Sequence, residues 1–156
     1  MVKKFFIVLS LLGVVFITQG CGGYGSLFSD GYTSPPEDAT ITVSPPSTKI
    51  TDGGGTVETD EEQFLVVVKD ANGIPLNNVE VVVSYPWAVP SPAGFVQLYD
   101  GSTPVDSPMT VITDPNGAYI VKFAYKRGGG VAYKGDFQFI AGSLSTTATF
   151  EVDTGS

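Results

Sequence analysis

The chain has 156 residues with 16 acidic and 8 basic side chains, no histidine and one cysteine. Its acidity argues against nucleic acid, which needs clustered Lys and Arg facing phosphates. Without histidine, and with a single thiol, it lacks the commonest general base, the commonest metal ligands and any internal disulfide.

The first element is a leader. Lys3 and Lys4 give a positive start, Phe5 to Ile17 is apolar, and Thr18-Gln19-Gly20 is a small-residue exit. An apolar run of about 13 residues suits a signal peptide and falls short of the ~20 needed to span a bilayer. Cys21 follows directly. Gly20-Cys21 after this leader resembles the lipobox of bacterial lipoproteins, with Thr18 where that motif has Leu. The resemblance implies cleavage before Cys21, diacylglycerol on its sulfur and acylation of the new amine, commonly by palmitate. With Gly22 in place of an inner-membrane retention Asp, it points to the outer membrane, on its periplasmic or its surface side. The competing reading is ordinary secretion with cleavage after Gly20, leaving a free thiol. Loss of Lys3 and Lys4 leaves 6 basic against 16 acidic residues, a net charge near −10. Such a domain is repelled by anionic headgroups, so its membrane contact runs through the lipid.

Residues 21–38 read as the lipidated N-terminus and a flexible Gly/Ser/Pro tether, in which Tyr24, Phe28 and Tyr32 add aromatic character. From 39 to 153 short β signals alternate with turns. The segments are Ala39–Val43, Gln63–Lys69, Val79–Tyr85, Phe95–Tyr99, Met109–Ile112, Ala118–Lys126, Gly135–Ile140 and Ser143–Val152. Their two-residue period puts one face of each in a core, with Val81, Val83, Tyr119, Val121, Phe123, Phe137, Phe139 and Phe150 on the apolar phase. Seven to eight such strands predict an all-β, two-sheet antiparallel sandwich behind a helical signal peptide and the tether.

Asp70-Ala71-Asn72-Gly73 and Asp114-Pro115-Asn116-Gly117 share one plan. Asn and Gly tolerate positive φ and Asp accepts backbone N–H groups, so both predict tight turns. A calcium loop of EF-hand type would need further oxygens and a bidentate Glu after the Gly, and neither segment supplies them. No metal and no cofactor is expected. The stretch from Val68 to Val81 resembles the V-x-D-x-x-G-x-P-L-x-x-V-x-V run of bacterial immunoglobulin-like domains of the invasin/intimin type. Thr113 to Tyr119 resembles their T-D-x-x-G turn, and Ala141 to Phe150 their closing hairpin. The resemblance implies an Ig-like sandwich over about Thr40 to Val152 with no catalytic residues of its own, acting in stalks or adhesive tips. A single domain departs from the tandem arrays of stalks.

Between Tyr85 and Thr110 lies a proline-rich stretch containing the sole tryptophan, Trp87. Tyr85, Trp87, Phe95 and Tyr99 are the candidate binding residues; against this, Trp87 and Phe95 plug one end of the sandwich, the better account of Trp87 because a lone exposed tryptophan is unusual without a partner. Asp60-Glu61-Glu62 makes a poor catalytic dyad, because adjacent residues of an extended chain point in opposite directions, and reads as a solvated charge run. Ser107 and Ser143 lack a base. The expected function is non-catalytic: a membrane-anchored lipoprotein whose domain contacts a protein or the cell envelope. The alternative is a carbohydrate or small-ligand module built on the Trp87 loop.

Overall fold

The computed structural model describes residues 33–85 and 95–154. The leader, Cys21, the tether up to residue 32 and Trp87 lie outside the described residues. Among the described residues there are ten strands: β1 (Thr40–Ser44), β2 (Ser47–Thr51), β3 (Glu58–Lys69), β4 (Glu80–Ser84), β5 (Val96–Asp100), β6 (Thr103–Val105), β7 (Met109–Ile112), β8 (Ala118–Arg127), β9 (Tyr133–Ala141) and β10 (Leu144–Asp153). They form two five-stranded sheets, β1-β3-β8-β5-β6 and β2-β10-β9-β4-β7, and the domain is an all-β sandwich.

The predicted alternation carries the sheets. In β9 every odd residue from Tyr133 to Ala141 is buried and every even one is exposed. Phe64, Phe123, Phe137, Phe139 and Phe150 interlock at the centre, with Phe123 4.7 Å from Phe137, 5.0 Å from Phe150 and 5.2 Å from Phe64 between ring centroids. Seven of the eight predicted core residues are buried. The eighth, Tyr119, sits at the margin near the start of β8, where its hydroxyl donates to Asp100 Oδ1 at 3.1 Å.

Three features depart from the expectation. β2 and β6 are extra strands. Only Ile50 in Ser-Thr-Lys-Ile-Thr and Val105 in Thr-Pro-Val turn an aliphatic side chain toward the core, too weak a signal to read. β3 begins at Glu58, so Asp60-Glu61-Glu62 is strand rather than loop. The alternation holds there, with Glu61 exposed between half-buried Asp60 and Glu62. The sandwich is not wholly antiparallel: past Pro45-Pro46 the chain changes sheets without reversing, and β2 runs parallel to β10.

Both Asp-led segments are turns, and they match atom for atom. Asp70 Oδ1 accepts the N–H groups of Asn72 (2.9 Å) and Ile74 (2.8 Å); Asp114 Oδ1 accepts those of Asn116 (2.8 Å) and Ala118 (2.9 Å). The turns also grip each other. Val68 N–H donates to the Gly117 carbonyl at 2.8 Å, and Leu76 N–H to the Val68 carbonyl at 3.0 Å. Buried Thr113 donates its hydroxyl to the Leu76 carbonyl at 2.8 Å and accepts from Val79 N–H at 2.9 Å. Gly117, at φ +67°, lies so close that a Cβ there would stand 2.5 Å from the Val68 carbonyl oxygen.

Candidate functional site

The two ends of the sandwich have different makeup. At the turn end the chain enters: Thr33 bridges Val79 in parallel, beside the β9–β10 turn, and Pro35 is buried against it. Residues 33–38, read from sequence as tether, therefore lie on the domain. The far end carries the glycine-rich loops 53–57 and 128–132. Asp52, missed in the sequence reading, staples these loops. It is 4% exposed, and its carboxylate accepts from Gly54 N–H (3.2 Å) and Gly130 N–H (3.1 Å). Beside it a cavity of about 370 Å³ is lined by Asp52, the three glycines 53–55, Thr56, Glu58, Arg127 and Gly128. Arg127 reaches Glu58 at 3.0 Å and pairs with Asp60, which holds its guanidinium above its ordinary pKa. The carboxylates here are engaged by backbone amides and one arginine. Among the described residues no group of three or more His, Cys, Asp or Glu is placed to hold a metal.

Tyr85, Phe95 and Tyr99 do not form one aromatic platform. Tyr85 crosses the inter-sheet space, 5.9 Å from the Phe137 ring, and donates its hydroxyl to the Val96 carbonyl at 3.3 Å. Burial, reinforced by the Asp106 charge, raises its phenol pKa. Phe95 stacks on Tyr133 at 5.2 Å and 17°, and Tyr133 donates to the Lys126 carbonyl at 2.6 Å; burial pushes that phenol up as well. These two pairs tie the sheets together at the far end. Ser107 Oγ accepts from Tyr85 N–H at 3.2 Å, a structural contact.

Tyr99 alone of the three lies on the outer phase of β5, on the outer face of the β1-β3-β8-β5-β6 sheet. There it lines a shallow groove of about 190 Å³ with Thr59, Gln97, Ala124, Tyr125 and Lys126, and Phe95, its ring turned to Tyr133, bounds one end. Next to it, Glu61, Glu62, Gln63 and Lys122 line a second of about 300 Å³. The register joins the two, because Ala124 pairs with Glu61 on one side and Gln97 on the other, while Lys122 pairs with Gln63 and Tyr99. Ala124 points outward yet is only 5% exposed, so longer neighbours wall it in and it forms a floor. Two rows further toward the turn end, Leu65 (41% exposed) faces Ile120 (51%) across the strands. The lysines of β8 were legible on this phase; Gln97, Gln63 and the Ala124 floor were not, since only strand register assembles them.

No protein-family model matches the chain, and no curated protein matches it. Solved structures do. One is the chaperone–tip adhesin complex of CFA/I fimbriae biogenesis, 11% identical over 72% of this chain and 56% of that one, TM-score 0.47. Another is the adhesin InvE of Yersinia pseudotuberculosis, 22% identical over 74% of this chain and 32% of that one, TM-score 0.46. A third is a conjugative transposon lipoprotein from Bacteroides eggerthii, 13% identical over 75% of this chain and 98% of that one, TM-score 0.44. The chain thus spans about half of the first and a third of the second. At such identities and TM-scores the likeness goes no further than the β-sandwich architecture itself.

Proposed function

We propose that this chain is an exported lipoprotein, anchored in an outer membrane through Cys21, whose Ig-like sandwich of the invasin/intimin type makes protein or envelope contacts without catalysis. The observation that carries the reading is the Thr33–Val79 bridge. It brings the described chain in at the turn end, 12 residues after Cys21, so an anchor at Cys21 would hold the domain by that end. The resemblance motifs fit a scaffold: Val68, Leu76, Val79, Thr113 and Gly117 are used up in fastening two turns together. The test is fractionation. Cys21→Ser should release the protein from the membrane fraction or stall its precursor; normal cleavage with unchanged membrane retention would refute the anchor.

The outer-face groove beside Tyr99 favours a second reading, a carbohydrate-binding module. On this reading the sheet face supplies the binding surface, alone or together with Trp87. Titration of the chain with neutral and acidic glycans, followed by tryptophan and tyrosine fluorescence, tests it; no response across both classes counts against it.

A further inference from the structure

We infer that the outer face of the β1-β3-β8-β5-β6 sheet is a binding face for an acidic polysaccharide, a chain of uronic-acid type. The inference rests on reading the protein as a binding module and is independent of the lipid anchor. Its first support is charge segregation. Among the described residues Lys49, Lys134 and Arg127 are each held in ion pairs. The other three cations, Lys69, Lys122 and Lys126, make none, and all three project from the outer phase of β3 and β8. Glu61 is the one acid on that phase of the two strands. On a chain of formal charge −8 this is a local excess of positive charge.

The second support is shape. The two grooves follow the same rows of the sheet, with Ala124 as floor, Lys122 and Lys126 on either side of it, and Tyr99 along the β5 side. Lys122 and Lys126 are four residues apart on one phase, about 13 Å along the strand. Lysine ammonium groups recognise carboxylates, aromatic rings cover the apolar faces of sugars, and fixed amides and hydroxyls select orientation. Gln97 is fixed, its Nε2 donating to the Val105 carbonyl at 2.7 Å and the Leu98 carbonyl at 3.1 Å; Gln63 and Thr59 add further polar groups.

Other occupants fit less well. A face-to-face copy of this chain would oppose lysines to lysines. Peptide strand addition is disfavoured at the terminal strands β1, β2, β6 and β7, which have three to five residues and are bounded or interrupted by Pro45, Pro46, Pro104 and Pro108.

The experiment is calorimetric titration of residues 21–156 carrying Cys21→Ser. The probes are oligogalacturonate and oligomannuronate, with a neutral maltooligosaccharide and poly-glutamate as comparisons. The expected result is binding to an oligouronate that weakens as salt rises, and none to the neutral oligosaccharide. Lys122→Glu with Lys126→Glu should weaken it roughly tenfold or more, at an unchanged melting temperature. Tyr99→Ala should weaken it without changing the salt dependence. No binding to either oligouronate, or binding indifferent to the charge reversals, overturns the inference. Equal affinity for poly-glutamate with no effect of Tyr99→Ala also overturns it, in favour of an acidic protein partner. Because the anchor is absent from this chain, failure here leaves the membrane-fractionation result standing.

Discussion

Truncating Phe123 to alanine perturbs the centre of the core. The ring is fully buried, lies 4.7 Å from Phe137, 5.0 Å edge-on from Phe150 and 5.2 Å stacked on Phe64, and has Tyr125 at 6.4 Å. Phe→Ala in a core typically costs ~3–5 kcal/mol, and aromatic pairs add ~0.5–1.5 kcal/mol each beyond their area. Four ring neighbours on strands from both sheets leave little scope for the site to collapse, which places the loss near the top of that range, about 4–5 kcal/mol. Against a total of ~5–15 kcal/mol in a domain with no disulfide, this is a large fraction. Urea denaturation followed by circular dichroism measures it. With m of ~1–3 kcal/mol/M, the midpoint should fall by roughly 2 M at unchanged m. Lys122→Ala, one residue away on the outer face, should cost within about 0.5 kcal/mol. Equal losses for the two variants, or a loss below ~1.5 kcal/mol for Phe123→Ala, would show the strand phase and the sandwich to be misread.

Gly117→Ala should cost about 2 kcal/mol or more, because its Cβ would meet two backbone atoms within 2.8 Å at φ +67°. Gly73→Ala, at φ +79° with open space, should cost only the strain of about 1 kcal/mol, and thermal melts of the pair separate clash from strain. Burial raises the phenols of Tyr85, Tyr119, Tyr125 and Tyr133 above their ordinary value of 10.0, Tyr119 to about 12 with help from Asp100. The native state favours the neutral phenols, so their contribution is intact below pH 10 and is lost as pH rises through 10 toward 12. Absorbance at 295 nm should show these tyrosines ionising together with alkaline unfolding; independent titration near pH 10 would contradict the burial. EDTA should leave the melt of residues 21–156 unchanged, because Asp70 and Asp114 already spend Oδ1 on two backbone N–H groups each. A large fall in melting temperature would restore the calcium reading.

The sequence shows strand phase wherever an aromatic or β-branched residue recurs at every second position, as in β8, β9 and β10. It hides strands whose inward residues are few, as in β2 and β6, and strand ends where both faces are polar, as at Glu58 to Glu62. Pro45-Pro46 marks a break, but a change of sheet without reversal reads the same in sequence as a loop. The Asp-led turns were legible because Asx chemistry is local, acting over two to four residues. Asp52 was not: its partners include Gly130, 78 residues away, and only the closed sandwich brings the two loops together. The same holds for the candidate site. Lys122 and Lys126 could be assigned to a face from alternation alone, but their groove depends on Tyr99 standing opposite Lys122. That pairing is set by the register of β5 on β8, across a proline-rich segment with no local signal to fix it.

The most direct test of the central proposal is the mass of the mature N-terminal peptide from the membrane fraction, with palmitate labelling in parallel. The account predicts a chain beginning at Cys21, bearing diacylglycerol on sulfur and an acyl chain on its amine. An unmodified Cys21, or a mature chain beginning at another residue, would contradict it.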